Sequence, residues 1–124
     1  MTEVSKQYNL EERTEEFGKN VITLCKNVQS DTVAKPLISQ LVRAGTSIGA
    51  NYREANSASS KKDFRNKIFT CKKEAEETKY WLKMIREYTN KGEELALLLQ
   101  EVQELILIFG KIISTLNNSK LNRN

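Results

Sequence analysis

Apolar residues that return every four and then three positions, stretch after stretch, leave a chain few folds to choose from. In this sequence Phe64, Ile68, Cys71, Ala75, Thr78, Leu82 and Ile85 keep that rhythm without a break. Leu37, Leu41, Ala44, Ile48, Asn51 and Ala55 keep it before them, and Leu95, Leu98, Val102, Leu105, Phe109, Ile112 and Leu116 after them. Leu10, Phe17, Val21, Leu24 and Val28 carry a shorter version near the start. A period of 3.5 is the signature of helices that pack along a shared seam, crossing at about 20° with a left-handed twist. The spacing predicts four helices, over residues 9–29, 35–57, 60–89 and 93–117. Short connections between them force neighbours to run antiparallel. The expected fold is all-α, an up-down-up-down four-helix bundle filling one domain, 1–124.

Punctuation agrees with the rhythm. Gln29-Ser30-Asp31-Thr32 is a cluster of turn and cap residues, and Pro36 suits a first helical turn, where its missing N–H costs nothing. Ser59 or Ser60 is the expected N-cap of the third helix, and Asn90-Lys91-Gly92 its stop. The polar tail after Asn117 is expected to fray.

Arg43 to Ala55 breaks local rules inside this pattern. Gly45, Gly49 and Asn51 sit within one predicted helix, although glycine costs about 1 kcal/mol relative to alanine there. The two glycines are four apart, so they lower one side of the helix and let a neighbour approach closely. Asn51 falls on the seam, where a polar side chain fixes register. Glu54, one turn on, is a candidate partner for it in a buried network.

Composition removes several kinds of chemistry. The chain has no histidine, which excludes Ser-His-Asp catalysis, imidazole metal ligation and Glu-x-x-His di-iron sites. Cys25 and Cys71 are too few for a disulfide framework, and Cys71 reads as a small buried hydrophobe. No cofactor or metal is expected. No run of eighteen apolar residues exists, so no membrane span is expected and the cytoplasm is the expected compartment.

Charge is uneven. Thirteen Lys and Arg against six Asp and Glu lie between Lys35 and Lys91, a local balance of +7 within a net +4. Arg65, Lys72, Lys79 and Arg86 recur every seven residues and form one column on the third helix, which Lys62 and Lys83 thicken. Such a column can follow a phosphate backbone. It can equally flank a seam, paired with Glu54, Glu94 and Glu101. Glu74 with Glu77, and Glu101 with Glu104, are two acidic pairs of the kind that hold Mg²⁺ in all-α nucleoside triphosphate pyrophosphatases, a third reading.

The fourth helix carries more apolar surface than one seam can use. Leu99, Ile106 and Ile113 make a second column, widened by Leu97, Leu107 and Ile108, and Trp81, Met84 and Tyr88 add to it from the third helix. A helix apolar on more than one side is buried on more than one side, so self-association is expected through Trp81, Tyr88, Leu99, Ile106 and Ile113. A protein partner meeting Trp81 and Tyr88 is the alternative use of that surface.

The stretch Arg43 to Ala55, with Ser60-Lys61-Lys62-Asp63-Phe64 and Lys73 to Leu82, resembles a bacterial four-helix-bundle family first noticed as reading frames inside 23S ribosomal RNA intervening sequences. The resemblance spans roughly Phe17 to Leu116. Arg43, Ser47, Ile48, Asn51, Glu54 and Ala55 carry it, with Phe64, Glu74 and Glu77 in support. Many members have Asn-Ile-Ala-Glu-Gly where this chain has Asn51-Tyr52-Arg53-Glu54-Ala55. The resemblance implies a bundle assembled as a ring-like pentamer and attaches no catalysis to it. The family is also similar to accessory proteins of diversity-generating retroelements, which bind RNA and a reverse transcriptase through a basic surface. The expected function is therefore a non-enzymatic homo-oligomer that binds structured RNA or a nucleoprotein.

Overall fold

The computed structural model describes residues 9–122, with side chains through 118. The expectations for residues 1–8, 123 and 124 fall outside that range. Among the described residues four α-helices follow one another: α1 Leu10–Lys26, α2 Ala34–Asn56, α3 Lys61–Ile85 and α4 Gly92–Asn122. A single 3₁₀ turn, Arg86–Tyr88, caps the end of α3. Contacts run α1 to α2, α2 to α3 and α3 to α4, and a thinner α4–α1 seam closes the square. The result is a four-helix bundle.

The seam is built from the four–three residues. Phe17, Val21, Leu41, Ile48, Ile68, Cys71, Ala75, Leu82, Ile85, Val102, Leu105 and Phe109 are all fully buried. Leu37, Phe64 and Ile112 pack only partly against this core. Ile113 was expected in the outer column of the fourth helix. It is 8% exposed and belongs to the core. A straight helix repeats every 3.6 residues, so a 3.5 pattern drifts by about 20° per heptad. Over α4 that drift carries the buried stripe from Ile112 toward Ile113.

Helix ends differ from expectation where side chains intervene. α1 stops at Lys26 because the Asn27 amide nitrogen donates to Thr23 O and its backbone N–H turns back to Leu24 O. Asp31 starts α2, its Oδ1 accepting the N–H of Val33 (3.0 Å) and Ala34 (2.7 Å). Ser60 caps α3 by accepting the Asp63 N–H at 3.0 Å, while the Asp63 carboxylate accepts the Ser59 N–H, a reciprocal cap. Gly92 opens α4 and does not serve as the left-handed stop of α3; no glycine among the described residues has positive φ. Helix continues beyond Asn117 to Asn122.

The glycines of α2 face α1. A Cβ on Gly45 would lie 3.0 Å from both Val21 methyls, and one on Gly49 would lie 3.4 Å from the Thr14 backbone. Gly18 answers from α1, against Gly45 O and Thr46. Thr14 is buried there and satisfies its hydroxyl on Leu10 O at 2.7 Å.

Candidate nucleic-acid interface

The cation column of α3 flanks the seam with α4. Arg65 Nε donates to Asn117 Oδ1 (2.8 Å), and Lys79 Nζ donates to Gln103 Oε1 (2.8 Å). Lys72 runs its stem past Gly110, whose absent Cβ would sit 3.6 Å from Lys72 Cε. Each seven-residue step down α3 thus meets a seven-residue step up α4, an antiparallel ladder. Arg65, Lys72 and Lys79 are half-buried, whereas Arg86 stands exposed in the 3₁₀ turn. The expected glutamate partners of this column lie elsewhere. Glu54 takes Lys67 at 2.9 Å, and Glu101 takes Arg13. Lys72 pairs with Glu76 (3.4 Å), but Arg65 and Lys79 are held by neutral amides, and no carboxylate among the described residues compensates their charge.

The outward face of α3 carries the exposed cations Lys61, Lys62, Lys73 and Lys83. No carboxylate lies within ion-pair distance of these four, or of Arg86, among the described residues. The same face holds Phe69 and Tyr80, 55% and 54% exposed. Tyr80 rests edge-on against Trp81, with ring centroids 5.0 Å apart. The seven-residue column through Arg65 holds Lys72 and Lys79; Phe69 and Tyr80 lie on a line beside it, seven residues after Lys62 and Lys73.

The acidic pairs do not meet. Glu74 and Glu77 lie on the α2 side of α3, where Arg43 reaches both at 3.3 and 3.0 Å. Glu101 and Glu104 lie on the α1 side of α4 and share Arg13, at 2.6 and 2.8 Å. Arg13 is 9% exposed at its side chain, and the hydrogen bond to Glu101 holds its pKa above the ordinary arginine value. Each pair is thus an arginine site on its own seam, and no cluster able to hold a metal forms among the described residues. Arg13–Glu101 joins residues 88 apart in sequence, and no local spacing announces it.

Asn51 does not bond to Glu54. Its Nδ2 donates back to Ser47 O at 2.8 Å, and Ser47 in turn donates to Arg43 O, so the motif braces its own helix. Trp81 and Tyr88 sit half-buried on the flank of α3 that carries Glu74 and Glu77, toward α2, while Leu99 and Ile106 sit half-buried on α4. The structure therefore divides the expected association residues between two seams. Among the described residues, the most exposed large apolar side chains of α4 are Leu97 and Leu107, at 66% and 64%. Burial pushes the Cys25 thiol up to about 11 and the Cys71 thiol up to about 12, and Cys71 Sγ points to Ile48 O at 3.7 Å. Neither is suited to act as a nucleophile. No helix among the described residues is long and apolar enough to cross a membrane.

Comparison with known proteins finds matches of two kinds, a family model and solved structures. The family model described as 23S rRNA-intervening sequence protein matches residues 6–111. A solved structure from Bacteroides thetaiotaomicron, described as a protein with unknown function from the S23 ribosomal protein family, is 36% identical, with a TM-score of 0.73. The alignment covers 83% of this chain and 96% of that one. No curated protein matches.

Proposed function

The chain belongs to the 23S rRNA-intervening sequence protein family, and from that premise we propose that it is a non-enzymatic, self-associating bundle that binds RNA through the outer face of α3. The observation that carries this reading is the set of exposed cations Lys61, Lys62, Lys73, Lys83 and Arg86, unpaired among the described residues, beside the uncompensated Arg65 and Lys79. Unpaired cations on one helix face attract a polyanion and release its counterions on contact. Neither the family's description nor that of the Bacteroides thetaiotaomicron structure names an enzyme.

Self-association adds avidity, since several weak basic faces act together once linked. Exposed Leu97 on the α1 flank of α4, exposed Leu107, and half-covered Leu99 and Ile106 on the α3 flank are the apolar side chains that α4 offers for it. The family resemblance favours a pentamer. Light scattering at micromolar concentration is expected to give a multiple of the 14.2 kDa chain. A stable particle of one chain would contradict it. Recognition of a protein through Trp81 and Tyr88 ranks second, because both pack partly against the core.

Filter binding to structured RNA over a range of salt tests the main reading. Replacing Lys62, Lys73 and Lys83 by Glu removes three phosphate contacts, so the salt slope is expected to fall by roughly 2–3. Affinity that ignores salt, or a triple variant that binds as the parent does, would refute it.

A further inference from the structure

We propose that α3 selects unpaired nucleotides, stacking bases on Phe69 and Tyr80 while Lys62, Lys73 and Lys83 hold the phosphates around them. This rests on the RNA reading above and names the part of an RNA that the face takes. The geometry is two interlocked eleven-residue repeats. Lys62 and Lys73 are eleven apart, and so are Phe69 and Tyr80. Eleven residues return to within about 20° on a helix, and so do the seven from Lys62 to Phe69 and from Lys73 to Tyr80, so all four project along one outward line, cation and ring alternating.

Half-exposed aromatic rings are costly to leave in water, and no other helix covers these two. The edge contact with Trp81 fixes the Tyr80 ring in place. The two rings stand about 16 Å apart along the helix axis, at ~1.5 Å per residue. That distance equals about five bases stacked at ~3.4 Å, so one short single strand can reach both.

A duplex keeps its base faces inside its own stack, and its deep groove does not admit side chains. It could use the lysines but not the rings. An acidic protein surface would likewise use the lysines and gain nothing specific from flat rings. An anion with flat apolar faces at regular intervals is a single-stranded nucleic acid. The carboxylates nearby do not spoil the site: Glu76 is engaged by Lys72, and Glu87 lies beyond Tyr80 at the end of α3.

The test uses the whole protein with an oligouridylate of about twelve nucleotides, within the span that such sites occupy, and a duplex of the same length. Anisotropy is read for the parent, for Phe69→Leu with Tyr80→Leu, for Phe69→Trp with Tyr80→Trp, and for Lys62→Gln with Lys73→Gln and Lys83→Gln. The parent is expected to prefer the single strand. The leucine pair should weaken single-strand binding by about tenfold or more and duplex binding by under twofold, and the tryptophan pair should keep the preference. The glutamine set should weaken both ligands. If the leucine pair leaves single-strand binding unchanged, or weakens both ligands alike, the stacking proposal is overturned while the RNA reading survives in the glutamine result. If the parent binds neither ligand, or the glutamine set binds both as the parent does, the RNA reading itself is overturned. Melting curves of the variants should match the parent, since the substituted residues are exposed.

Discussion

Glycine does different work on two sides of this bundle. On the α1–α2 seam, Gly45 and Gly49 admit a neighbouring helix, with Val21 methyls at 3.0 Å and Thr14 backbone at 3.4 Å from where a Cβ would stand. On the α3–α4 seam, Gly110 admits only the stem of Lys72, at an ordinary 3.6 Å. The first seam is closed by packing and by Arg53, which reaches Glu15 at 2.6 Å. The second is flanked by long cations tied to amides. One heptad rhythm thus builds a close joint at the α2 glycines on one side and a charged border on the other, and function is expected on the helix, α3, that carries that border.

The strongest way to break this contrast is Gly49→Leu. Its side chain would meet Thr14 backbone, which cannot rotate away, and overpacking of this kind costs about 3 kcal/mol. The melting temperature should fall by about 10 °C or more. A melt and a solution mass equal to the parent's would mean α1 does not rest on α2 as described. Next comes Arg13→Met, which leaves Glu101 and Glu104 without their shared partner on the thinner α1–α4 seam. A loss of about 1–2 kcal/mol is expected in denaturant unfolding, because bonds to charged groups are worth more than neutral ones but both glutamates keep some solvent. An unchanged midpoint would remove that pair from the account of the seam.

Gly110→Ala should move the other way. The added methyl makes normal contact with a flexible lysine stem and gains helix propensity, so stability should rise by about 0.5–1 kcal/mol. A destabilised Gly110→Ala would place a close approach on both seams and erase the contrast. The smallest effect concerns the thiols. The folded chain holds the protons of Cys25 and Cys71 more tightly than a free thiol of pKa about 8.5. Their contribution to stability is whole below that pH and is lost as pH climbs through about 11 and about 12. A thiol reagent near neutral pH should label both only as fast as the bundle opens. Rapid labelling of the native chain would show them accessible.

Much of the fold could be read from spacing because a seam writes itself into sequence. Ile48, Cys71, Leu82 and Phe109 fall inside by period alone. Ile113 escaped because a straight helix slips against a 3.5 repeat. The direction of Arg65, Lys72 and Lys79 escaped for another reason: a flank position does not say whether it borders a neighbour or open solvent until the neighbour's own flank is known. Asn117, Gln103 and Gly110 decide it here, and they are ordinary residues in the sequence. Phe69 and Tyr80 were open to discovery, since each lies seven residues after a lysine, Lys62 and Lys73, on a line beside the column of Arg65, Lys72 and Lys79. The partners of Arg13 depend on which two helices close the square, and no local pattern carries that.

The two sides of the bundle differ most directly in which of them meets RNA. Lysine acetylation, read by mass spectrometry with and without bound oligouridylate, compares the two sides in one sample. Protection is expected at Lys62, Lys73 and Lys83, while Lys19 and Lys26 on α1 and Lys35 on α2 acetylate as they do in the free protein. Protection at the α1 and α2 lysines with none on α3 would contradict it.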